Sequence, residues 1–154
     1  MHTVFPAVAV LSGLVSCACA SQHSGTPERA SAAQVTAATF LLREIASNPG
    51  GLRAVCVTYE ADSSSTEPPA PMVGSLRVLG RDGCEEVDAQ LRERATGELA
   101  MTVFVKSPEF TGSSVARVDV FTSSGAYDIA VYACALKWSE SAWKVDDCVL
   151  EAIS

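Results

Sequence analysis

The chain is predicted to be α+β: a long N-terminal helix packed on an antiparallel sheet, the sheet being a meander of four C-terminal strands plus one earlier strand. Three observations predict this class. Small and apolar residues recur at helical spacing from Ala30 to Ile45. The segment Ala54 to Glu60 (AVCVTYE) is β-branched and aromatic, and from Glu98 onward the apolar stretches have strand composition. With 154 residues, 48% of them hydrophobic, the chain is long enough for one domain with a substantial core and too short to divide comfortably.

The N-terminal segment comes first. Val4 to Val15 is an apolar run interrupted by Pro6, Ser12 and Gly13, far shorter than the roughly 20 residues that span a hydrocarbon core, and it has the form of a signal-peptide apolar region. It ends in Leu14-Val15-Ser16-Cys17, which resembles the lipobox of bacterial lipoproteins. That resemblance implies a diacylglycerol on the Cys17 thiol, cleavage before Cys17, an acylated new amino terminus, and the membrane as a partner through that anchor. Burial contributes about 0.8 kcal/mol per methylene, so the acyl chains of a mature lipoprotein hold it stably where one chain would not. Ala18-Cys19-Ala20 offers ordinary cleavage before Ser21 as the alternative. Either route leaves the domain outside the cytoplasm, anchored in the cell envelope or released as a soluble protein. The expected organisation is a leader over residues 1–20, a flexible tether over 21–26 (SQHSGT) and a single domain over 27–154.

Thr26-Pro27-Glu28 supplies an N-cap, a first-position proline and a first-turn acid, and so opens the helix. Ala30, Ala33, Ala37, Ala38, Leu41 and Ile45 form its apolar stripe, and Asn48-Pro49-Gly50-Gly51 ends it. After the strand at Ala54, Ser63 to Pro69 forms a surface loop. Pro71 then opens a short second helix with Met72, Leu76 and Leu79 on one side, ended by Gly80 and the Asp82-Gly83 turn. Residues 85–95 carry Val87, Leu91 and Ala95 at helical spacing beside a strand-rich region and stay unassigned. The four strands of the meander follow, the last two forming a hairpin flanked by Trp138 and Trp143.

This order of elements, closing on Trp143-Lys144-Val145, is similar to the cystatin-like and NTF2-like α+β classes, in which a sheet wraps a helix. Cys56 in the first strand, the Pro71, Leu76 and Cys84 segment, Tyr132 with Cys134, and the Trp-x-Val ending are similar to small bacterial lipoproteins. That resemblance carries no activity, and Cys17 is the one residue to which it gives a role.

Four cysteines fall in the domain: Cys56, Cys84, Cys134 and Cys148. An even number outside the cytoplasm favours disulfides, and four cysteines allow three pairings. Folding the last hairpin around Ser139 to Ala142 sets Cys134 opposite Asp147, within one residue of Cys148, and a bulge closes the difference. Cys56 with Cys84 follows by elimination. There is no Cys-x-x-Cys, so no metal site is expected.

The histidines are His2 and His23, both before the domain. Ser-His-Asp and Cys-His nucleophilic sites and His-ligated zinc all require an imidazole held by the fold, so an enzyme is not expected, nor a cofactor. Glu85, Glu86 and Asp88, or Asp146 and Asp147, could supply an acid/base pair or calcium oxygens, but a solvated charged face is the commoner role. Tyr59, Tyr127, Tyr132, Trp138 and Trp143 either line a ligand pocket or fill the core. The net charge of -7 disfavours nucleic acid as a partner. The expected function is a membrane-anchored, extracytoplasmic, non-catalytic binding or accessory domain. The alternative is an inhibitor of a basic extracytoplasmic enzyme such as a lysozyme, steered by opposite charge.

Overall fold

Thr26 caps the first helix by accepting a hydrogen bond from the Arg29 amide at 3.4 Å, and Pro27 occupies the first turn, where no amide partner is needed. The helix, α1 (Pro27–Ser47), buries Ala33, Ala37, Ala38, Leu41 and Leu42. It stops at Asn48, after which Gly50 and Gly51 take positive φ. The computed structural model describes residues 25–60, 70–126 and 128–154. The leader with Cys17, residues 21–24 of the tether, the loop Ser63 to Pro69 and Tyr127 lie outside the described residues.

Ten strands follow: β1 (Ala54–Tyr59), β2 (Met72–Val73), β3 (Leu76–Leu79), β4 (Cys84–Val87), β5 (Gln90–Glu93), β6 (Ala100–Val105), β7 (Glu109–Phe110), β8 (Val115–Gly125), β9 (Asp128–Ser139) and β10 (Ala142–Ile153). They form one sheet in the order β10-β9-β8-β6-β1-β3-β2, with β4, β5 and β7 off that path. β1 runs parallel to both of its neighbours, β3 and β6, and the remaining pairs are antiparallel.

This overturns the predicted class. The described chain is mostly β, 53% strand against 20% helical, and its sheet is curled and mixed instead of an antiparallel meander under a long helix. The early strand sits in the middle of the sheet because its run Ala54-Val55-Cys56-Val57 is buried on both faces, the environment of a parallel strand. The expected second helix at Pro71 is the hairpin β2–β3. Val73 pairs with Leu76 across a turn at Gly74, whose φ of 58° a side chain would resist, and whose missing Cβ leaves 3.2 Å to that of Ala46. Leu76 and Val78 then alternate inward, so period two prevails over helical spacing. The unassigned residues 85–95 contain the hairpin β4–β5, turned at Asp88 and Ala89, both at positive φ.

The sheet's two faces carry separate cores. The α1 face packs Ala37, Leu42, Val55, Val103, Val118 and Leu136 into one cluster, closed by Trp143. The back face of β1 and β6 holds Ala54, Cys56, Cys84 and Ala100, covered by the β4–β5 hairpin. Gln34, 1% exposed on α1, donates to the carbonyls of Val105 (3.3 Å) and Lys106 (3.1 Å), so its burial leaves no amide donor wanting at the end of β6. Among the described residues no helix is long and apolar enough to cross a membrane.

Candidate functional site

The domain cysteines are joined as Cys56–Cys84 and Cys134–Cys148. The second pair is the one the hairpin register predicts. The strands slip by a bulge between Val145 and Asp147, and this sets Cys148 directly opposite Cys134. Cys56 is fully buried on β1 and fastens the β4–β5 hairpin to the back of the sheet.

Among the described residues, the aromatic side chains do not converge on one cavity. Trp138 and Trp143 meet edge to face with centroids 5.2 Å apart, and Phe110 packs on Trp143 at 5.9 Å. The Arg29 guanidinium lies 4.4 Å from the Trp138 centroid and 5.2 Å from that of Trp143. Trp143 Nε1 donates to the Arg29 carbonyl at 3.0 Å, and Arg29 donates to the Ser113 carbonyl. This is a filled corner that locks the start of α1 to the last hairpin. The chain enters it at Gly25, which packs so closely on the Phe110 ring that a Cβ would collide.

Tyr59 lies at the end of β1 with its hydroxyl buried and unpartnered, and burial pushes the phenol up to about 12 from its ordinary 10.0. Tyr59→Phe is therefore expected to raise stability at neutral pH by roughly 1 kcal/mol, because an unsatisfied buried hydroxyl is removed. The raised value also fixes the alkaline behaviour. Below 10.0 the phenol is protonated in both states. Between 10.0 and about 12 the unfolded chain ionises first, so stability falls as pH rises through that window. Denaturant unfolding followed across the same window should show a flatter profile for the phenylalanine variant.

The candidate carboxylates are spread over the surface. Glu85 sits 3.6 Å from Arg94, Asp146 2.8 Å from Lys137, and Asp147 accepts the Cys148 amide at 2.8 Å. Glu86 is exposed on β4, and Asp88 forms the turn that follows. No cluster of three or more metal-ligating side chains occurs among the described residues. A carboxylate that sequence reading overlooked, Glu93, is 5% exposed; hydrogen bonds from Arg77 hold it below the ordinary glutamate range, and Thr96 donates to it as well. Arg77 also reaches Glu98, so the cluster fastens β5 to β3 and is structural.

A continuous concave surface lies toward the other end of α1. A cleft of about 470 Å³ opens between the helix and the sheet, lined by Phe40, Glu44, Ile45, Tyr132 and Cys148 among others. Through Asn48, Leu52 and Met101 it is continuous with a cleft of about 590 Å³ between the turns that end α1, β4 and β8. There Gly125 lets the β8–β9 turn meet the Ala89 carbonyl with no room for a side chain. A smaller recess of about 280 Å³ continues the groove along α1 past Phe40 to Val35, Arg43 and Val145.

The groove is bordered by the free edge of the sheet. Among the described residues β10 is paired on one side alone, with β9. Phe40 is 37% exposed and Leu150 44% on the α1 side of this border, while Val149, 51% exposed, points to the opposite face of the sheet. Of the candidate aromatic and cysteine residues singled out from sequence, Tyr132 and Cys148 reach the groove, where they join Leu41 and Ile45 of the helical stripe and Asn48 of its stop. Phe40, Glu44 and Leu150 were invisible there, since Phe40 falls off the apolar stripe of α1 and nothing in the β10 pattern marks an edge. Comparison with protein-family models, curated proteins and solved structures finds no match to this chain.

Proposed function

We propose that the protein is an extracytoplasmic, non-catalytic binding domain held to the membrane by a lipid on Cys17, and that the groove between α1 and β10 is its working surface. The single observation that carries the binding role is this continuous groove, bordered by a strand edge that is unpaired among the described residues. The two disulfides agree with an oxidising compartment. The lipobox Leu14-Val15-Ser16-Cys17 supplies the anchor. The geometry suits that arrangement. The chain enters the domain at Gly25, beside Phe110, and the groove opens toward the far end of α1, about 30 Å away for a helix of 21 residues.

Fractionation tests the anchor. A Cys17→Ser chain should move from the membrane fraction to the soluble extracytoplasmic fraction, with the domain's disulfides intact. A variant that still sediments with membranes would remove the lipid on Cys17 from the account.

A further inference from the structure

We propose that the Cys134–Cys148 disulfide is a site of thiol–disulfide exchange, closed in the resting protein and opened at Cys148 by the dithiol of a partner protein, while Cys56–Cys84 is a permanent staple. The two bonds differ in what covers them. Cys56 is fully buried and Cys84 is 9% exposed, with Leu79 and Leu91 packed against them. The backbone at Gly83 lies so close to the Cys56 sulfur that an added Cβ would stand 3.4 Å from it. Cys134 is fully buried too, but Cys148 is only partly so and belongs to the wall of the cleft of about 470 Å³ beside α1.

Exchange begins when a thiolate approaches a disulfide sulfur in line with the bond, so the space behind each sulfur decides which one is attacked. The bond crosses the hairpin from β9 to β10 at positions directly opposite in register. Behind Cys134 stands Val118 of β8, its register partner on the inner side and itself fully buried. Behind Cys148 no further strand follows among the described residues, because β10 ends the sheet. The incoming thiolate therefore bonds to Cys148 Sγ, and the disulfide breaks with its electron pair on Cys134 Sγ, which takes up a proton. The partner's second thiolate then bonds to its first sulfur and releases Cys148, which is protonated in turn. Two electrons pass from the partner's dithiol, now a disulfide, to the domain, now carrying two thiols.

The fold survives this opening. Pairing of β9 with β10 continues on both sides of the bond, from Ser139 with Ala142 to Ala130 with Ile153. Between Asp147 and Leu150, however, it is interrupted at both ends by register shifts, so loss of the disulfide loosens this stretch of the groove wall without unfolding the domain.

The test takes the protein from its membranes in detergent, titrates it with dithiothreitol, traps thiols with maleimide in urea and maps them peptide by peptide, which keeps Cys19 apart from the domain cysteines. Cys134 and Cys148 are expected to react at about one tenth or less of the dithiothreitol that opens Cys56–Cys84. On that first reduction, hydrogen exchange of the β9-bonded amides between Asp147 and Leu150 should rise about tenfold, with the fluorescence of Trp138 and Trp143 unchanged. A bacterial thioredoxin whose second active-site cysteine is replaced by serine should be trapped as a mixed disulfide on Cys148. Reduction of both bonds together, reduction of Cys56–Cys84 first, or a thioredoxin adduct on Cys134 would overturn the proposal. None of these readouts depends on what the groove binds or on the lipid at Cys17, so the exchange site and the binding role fail separately.

Discussion

Trp143→Ala is expected to destabilise the domain by about 3 to 5 kcal/mol, the range for truncating a large buried aromatic. Trp143 is 5% exposed, touches Trp138 and Phe110 through its ring, and ties the Arg29 carbonyl through Nε1. Truncation would open a cavity beneath the start of α1 and leave Arg29 without one of its two ring partners. For a domain of this size the melting temperature should fall by roughly 10 to 20 °C. Trp143→Phe separates the contributions. It keeps most of the packing and loses the Nε1 hydrogen bond, so a cost of about 1 kcal/mol is expected. Thermal unfolding with circular dichroism checks both, and near-equal losses would mean that the hydrogen bond, not packing, holds the corner.

Removing the Cys56–Cys84 disulfide by paired alanine substitution is the second large effect. Closing a loop of sequence separation 28 restricts the unfolded chain by roughly 3.5 kcal/mol on the loop-entropy relation, against roughly 3 kcal/mol for the Cys134–Cys148 separation of 14. Native context widens the gap. Cys134 and Cys148 are already held in register by the long β9–β10 pairing, whereas β4 pairs with β5 alone and β5 meets β8 at the single position Gln90 to Gly125. Without its staple the hairpin is retained by the Arg77, Glu93 and Glu98 cluster and the Arg92 to Leu99 bridge. Urea unfolding of the two double-alanine variants should therefore rank Cys56/Cys84 as the costlier loss, and limited proteolysis should cut first between Arg81 and Arg94. Equal stabilities with protection of that segment would show that the hairpin is held by packing.

The parts of this fold that sequence reveals are those governed by local rules. The helix start at Thr26-Pro27, its stop at Asn48 to Gly51 and the hairpin register that faces Cys134 with Cys148 follow from capping, turn residues and strand alternation. What escapes is set by pairing between distant segments. Met72, Leu76 and Leu79 fit a helical stripe, yet Gly74 supplies the turn of a hairpin whose second strand lies against β1. The apolar run Ala54 to Val57 did contain a signal of burial on both faces, and hence of a central parallel strand, which local strand composition alone does not convey. Tyr132 and Cys148 were the candidate residues that reach the groove, and Leu41, Ile45 and Asn48 were legible as parts of the helix and its stop and not as the groove's wall. Its remaining walls come from α1, the turns and β10, which meet because of the mixed topology that sequence periodicity does not encode.

As proposed, the protein is an exported, disulfide-stapled binding domain anchored through Cys17. The most direct measurement is the intact mass of the protein from its native membranes, alkylated with and without prior reduction. A chain beginning at Cys17 with added acyl mass is expected, whose Cys56, Cys84, Cys134 and Cys148 take up alkyl groups only after reduction. A chain beginning at Met1 or at Ser21 without lipid, or domain thiols alkylated before reduction, would contradict it.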